Sequence, residues 1–73
     1  MPPCVICTLA SVGWIQVFNG QSKIASYAAC LEHCVAAWAC QEMGQDWARE
    51  AMASALHVPK SFIPRFRVSL TST

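Results

Sequence analysis

The chain has 73 residues, 55% apolar and 12% charged, with five Lys or Arg against four Asp or Glu and a formal net charge of +1. One domain is the ceiling at this length, and folding buries only about 60% of the unfolded surface, so the core calls for a disulfide, a metal or a partner. The apolar content excludes a disordered chain, and the near-neutral charge argues against a dedicated nucleic-acid binder, which presents a strongly basic face. So much apolar surface cannot all be hidden inside so small a chain, so the expected partner is a protein: a second copy or a larger complex.

Residues 1–21 carry no charged side chain. Pro2 and Pro3 stand where a signal peptide carries its positive charge, so no secretory leader is read, and an intracellular setting is expected. The odd number of cysteines agrees, because a fully oxidised framework pairs them evenly. The apolar run at 4–18 is interrupted by Thr8, Ser11, Gly13 and Gln16 and falls short of the ~20 residues that span a bilayer. Membrane contact through it is a minor reading. Val5, Ile6, Val12, Trp14, Ile15, Val17 and Phe18 favour a strand, and Asn19-Gly20 signals a turn, with Gly13 marking a break or bulge. Strand and helix both stand for this segment.

Residues 22–43 read as a helix, capped by Ser22 and stopped at Gly44. At 100° per residue, Ile24, Tyr27, Ala28, Leu31, Val35 and Trp38 share one face, the expected core stripe. Opposite lie Ser26, Ala29, His33, Ala36, Ala37 and Cys40, small side chains suited to a close-packed partner. A second helix is predicted at 46–58, with Asp46 as its cap, an apolar side of Trp47, Ala48, Ala51, Met52, Ala55 and Val58, and Pro59 as its end. The tail at 59–73 is extended, Phe66, Val68 and Leu70 alternating with polar residues as in a half-buried strand, and it is a candidate to pair with the N-terminal segment. The expected fold is therefore mainly α, with α+β as the variant: a single domain, 1–73, built on a helical hairpin with an apolar N-terminal strand or helix and a strand-like tail. Trp14, Trp38 and Trp47 are expected to supply the bulk of its core.

Chemistry concentrates in "CLEHC" at 30–34 and "CVIC" at 4–7. Positions i, i+3 and i+4 of a helix meet on one side, so Cys30, His33 and Cys34 can reach one point. With Cys4 and Cys7 they make C-x2-C followed 22 residues later by C-x2-H, a four-ligand zinc pattern in which Cys34 is the substitute for His33. Against it, "CVIC" lacks the Gly and polar turn residues that shape a zinc knuckle, and cysteines in an Ala-rich chain serve as small buried hydrophobes. Thiol catalysis is not supported, because adjacent His33 and Cys34 point 100° apart on a helix and no cation flanks Cys7. The sequence thus reads as a non-enzymatic interaction or assembly protein without a cofactor, self-associating or part of a complex through Trp14, Ala29, Ala36, Ala37 and Cys40. A zinc-stabilised module is the alternative, and a membrane-associated protein a further one.

Overall fold

In a computed structural model of the chain, residues 1–58 and 62–71 are described. The elements run β1 (Gly13–Asn19), β2 (Ser22–Ala29), α1 (Leu31–Met43), α2 (Asp46–Ala55) and β3 (Arg65–Leu70). The strands form one antiparallel sheet in the order β2-β1-β3. The fold is thus α+β rather than mainly α, with strand where a helix was expected over 22–29.

That correction has a physical cause. Gly20, at φ 64, and Gln21 form a two-residue turn between Asn19 and Ser22, which are paired. A positive φ at the first turn residue is what a tight type II′ hairpin demands, and it folds residues 22–29 back along β1. Ala25, Ala28 and Ala29 favour a helix locally, but pairing with the β-branched and aromatic β1 outweighs that preference. The register shifts between Val17 and Phe18, opposite which Ile24 is the extra residue of a bulge. Gly13 is neither break nor bulge. It opens β1 at its close approach to β3, where a Cβ would lie 2.9 Å from Leu70 Cα and nearer still to the Ser69 carbonyl oxygen.

The sheet's inner face carries Ile15 and Val17 at 0% exposure and Phe66 from β3. Helix α1 packs on it, chiefly against β3, and α2 packs on α1. Gly44, at φ 68, ends α1 in the left-handed conformation. Gln45, not Asp46, is the N-cap residue of α2; the Asp46 carboxylate accepts instead from Arg49 at 2.7 Å. Helix α2 stops at Ala55, short of residue 58, because His57 turns left-handed at φ 59. Pro59, read as the end of this helix, Lys60 and the start of the tail lie outside the described residues.

The helical wheel of α1 is inverted relative to expectation. Leu31, Val35 and Trp38 are more than half exposed, while Ala37 is fully buried and Ala36 and Cys40 pack against the core. Small side chains let the helix lie close on the sheet, so the Ala/Cys strip is the inward one. Ala29 is likewise buried, at the end of β2. On α2, Ala48, Met52 and Ala53 face inward, and Trp47, Ala51 and Ala55 do not. No tryptophan is buried; aliphatic and thiol side chains, with Phe66, fill the core instead. Among the described residues no helix is long and apolar enough to cross a membrane.

Candidate metal centre

Hairpin geometry brings the cysteines together. Antiparallel pairing sets Gly13 opposite Ala29, so the residues before β1 and those after β2 become neighbours. The N-terminal segment is stitched to this end of the sheet: Val5 N–H donates to the Ala28 carbonyl at 3.0 Å and Val12 N–H to that of Ala29 at 2.9 Å. The 22 residues separating C-x2-C from C-x2-H are thus occupied mainly by the hairpin that closes the distance between them.

Residues 4–9 form a tight loop, with Thr8 N–H donating to the Cys4 carbonyl at 2.9 Å and Cys4 N–H to that of Leu9 at 2.8 Å. Thr8 sits at φ 65, where a β-branched residue is a genuine outlier. The left-handed turn that a glycine would form freely is made here by threonine, which is why the loop was not visible as a knuckle in the sequence. Cys30 is the N-cap residue of α1, extended at φ −71 and ψ 171; its carbonyl accepts the first helical bond from Cys34 N–H, and its thiol makes no cap bond. His33 follows one turn later on the same side.

The Sγ atoms of Cys4, Cys7 and Cys30 and a ring nitrogen of His33 all lie within 4.8 Å of one another. Cys7 and Cys30 Sγ are 3.6 Å apart, and His33 Nδ1 is 3.2 Å from Cys30 Sγ and 3.5 Å from Cys4 Sγ. A tetrahedral zinc with Zn–S near 2.3 Å and Zn–N near 2.0 Å needs ligand separations of roughly 3.8 Å between sulfurs and roughly 3.5 Å from sulfur to nitrogen. The three observed spacings match these to within about half an ångström, and with the remaining ones inside 4.8 Å the four donors lie close enough to hold a metal ion. Cys34 stands apart: its thiol is buried and donates to the Ala29 carbonyl at 3.6 Å. All five cysteines are free thiols.

The electrostatics favour a cation. Burial raises the Cys4 thiol, but backbone N–H groups of Cys30, Cys7 and Ile6 and the Cys7 thiol converge on its sulfur and pull it down to about 6. Cys7 receives the Leu9 N–H, which lowers it, yet burial and the thiols of Cys30 and Cys4 outweigh that bond and raise it. One sulfur is thus prepared as thiolate while its neighbour is held back by like charge, the conflict a divalent ion removes. The N-terminus of α1 adds a favourable dipole. Burial raises Cys34, with the thiols of Cys30 and Cys4 adding to it, and burial raises Cys40; neither is prepared as a ligand.

The residues read as an interaction surface are dispersed. Ala29 and Ala37 are inside, Ala36 and Cys40 partly so, and Trp14 lies half-buried on the opposite face of the sheet. Leu31, Val35, Trp38 and Met43 are the large apolar side chains left uncovered on α1, and the first three, with Cys34 and with Val68 and Leu70 of β3, line a groove of about 240 Å³. No family model, curated protein or solved structure matches the chain.

Proposed function

We propose that the chain is a small, non-enzymatic interaction module whose fold is held by one structural zinc ion on Cys4, Cys7, Cys30 and His33. The observation that carries this reading is the convergence of three sulfurs and one imidazole nitrogen from two distant parts of the chain. Four protein ligands close a tetrahedral site and leave no position for water or substrate, the arrangement of structural rather than catalytic zinc. Soft thiolates with one imidazole suit zinc over magnesium or calcium, which take oxygen ligands.

Native mass spectrometry of protein purified without chelator tests the proposal. The expected result is one zinc per chain, with loss of far-UV circular dichroism when EDTA removes it. A folded chain that holds no zinc after refolding with the metal would overturn it.

A second reading, self-assembly, is favoured by the exposed apolar groove between α1 and β3. Leu31, Val35, Trp38 and Leu70 are 54–61% exposed there, an apolar patch that a second copy would cover. Val35→Glu should then abolish a dimer seen by sedimentation; a wild-type monomer at high concentration sinks this reading. Glutamate at Ala37 is no test, since it buries a charge and unfolds the chain.

A further inference from the structure

Charge is sorted between the two layers of the fold. All four carboxylates lie on the helices, Glu32 and Glu42 on α1 and Asp46 and Glu50 on α2, where Arg49 pairs with Asp46. The sheet carries Lys23, Arg65 and Arg67 and no acid. The net charge of +1 conceals this separation.

Strand register places the three cations on the face turned away from the helices. Ile15, Val17 and Phe66 point inward, so Trp14, Gln16 and Phe18 of β1 point outward. Their cross-strand partners make three rows: Ala28–Trp14–Ser69, Ser26–Gln16–Arg67 and Lys23–Phe18–Arg65. Trp14 and Phe18 are half-buried, and Lys23, Arg65 and Arg67 are exposed. The Arg67 guanidinium stands 5.8 Å from the centre of the Phe18 ring. At the hairpin end of the sheet a cleft of about 450 Å³ opens along the β3 edge, lined by Phe18, Gly20, Gln21, Arg65 and Arg67 and, from the helix side, by Phe66 and by Gln41 of α1.

From these observations we infer that the outer sheet face binds single-stranded nucleic acid. The inference rests on the reading of the chain as a zinc-stabilised interaction module and names its partner. Two aromatic rings four residues apart on one strand, about 13 Å, give unstacked bases two platforms. The cations beside them meet the phosphates, and the absence of Asp and Glu from the strands removes the like-charge repulsion an acid would add. A duplex hides its bases and cannot use the rings, so the single strand is the fitting occupant.

The test is fluorescence anisotropy of labelled 12-nucleotide oligo(U) and oligo(dT) with the zinc-loaded full chain, titrated from 20 to 200 mM salt. Three phosphate contacts predict a slope of log K against log salt near −2, since each contributes about −0.7 on a single strand. Replacing both Arg65 and Arg67 with Gln should cut the slope to about one third. Phe18→Ala should weaken binding roughly tenfold by removing a stacking surface. Tighter binding of oligo(U) identifies RNA as the partner, and tighter binding of oligo(dT) identifies DNA. Three results overturn the inference: no binding at 20 mM salt, equal binding of duplex DNA, or binding to phosphatidylserine vesicles with none to oligonucleotide. Circular dichroism and zinc content of each variant separate misfolding from a lost contact. A metal-free folded chain that still binds the oligonucleotide defeats the zinc reading and leaves this one standing.

Discussion

The loop of residues 4–9 and helix α2 both pack against the framework of hairpin and α1, yet they are held by different forces. Helix α2 and the residues after it bury Ala48, Met52, Ala53, Leu56 and Val58, ordinary apolar anchors. The loop buries only Cys4 fully, with Ile6 and Cys7 partly covered, and leaves Val5 and Leu9 exposed. Its order comes from backbone hydrogen bonds and from the donor cluster. Apolar burial thus secures one side of the molecule, and on the proposed reading metal ligation secures the other, which is how a chain with so small a core offsets its shortage of buried surface.

Breaking the ligand set should have the largest effect. Cys30→Ser, or chelation of the wild type, is expected to abolish zinc binding and cooperative thermal unfolding together, because apparent zinc affinities of ~10–16 kcal/mol in small modules exceed the stability of the rest. Retention of a sharp calorimetric transition by Cys30→Ser would show that the loop is dispensable to the core. Leu56→Ala probes the other region. Leu56 is 2% exposed, and a cost of about 2–5 kcal/mol is expected in urea denaturation, with one zinc still bound by the folded fraction.

Gly13→Ala should cost about 1–3 kcal/mol, since a methyl group there presses on the β3 backbone where the two strands meet. Hydrogen exchange of β3 amides checks it, with faster exchange expected in the variant. Thr8→Gly should act in the opposite direction, raising stability by about 1 kcal/mol through relief of the left-handed strain at φ 65. An unchanged melting temperature would mean the loop gains nothing from that relief.

Acidity sets Cys4 against the raised thiols of Cys7 in the same loop and of Cys34 and Cys40 on α1. In the metal-free chain Cys4 is held at about 6 against an ordinary thiol value of 9.0, so its stabilising contribution is full above pH 9, declines as pH falls and is gone below about 6. Cys7, Cys34 and Cys40 are raised above 9.0, so their contribution is full below that value and declines as pH climbs further. Urea midpoints of EDTA-treated protein should therefore peak near pH 9. With zinc bound, acid should release the metal as protons compete for the thiolates, read by a colorimetric zinc indicator.

Several elements were legible in the residues. The alternation of Phe66, Val68 and Leu70 marks β3 and Gly44 marks the end of α1, while the aromatic and β-branched run at 14–18 admitted β1 as a strand without excluding a helix. The misread stretch, 22–29, is rich in alanine and carries a helical apolar period, so local preference and tertiary pairing disagree there. The inverted wheel of α1 has a related cause: Ala29, Ala36, Ala37 and Cys40 are small, and whether small residues face a core or a partner depends on what lies opposite them. The C-x2-C and C-x2-H spacing was visible, but its convergence was not, because Thr8 stands where a glycine would have advertised the turn.

By itself the sequence determined that the chain is short of charge, too apolar to be disordered, and carries C-x2-C and C-x2-H spacings able to chelate. Those properties follow from composition and spacing, which no fold can alter. Only the tertiary structure decided which residues meet: the hairpin carries Cys30 and His33 back to Cys4 and Cys7, and the strand register gathers Lys23, Arg65 and Arg67 on one face of a sheet whose strands carry no Asp or Glu. Proximity between distant residues depends on how the chain returns on itself, and local preference cannot encode it.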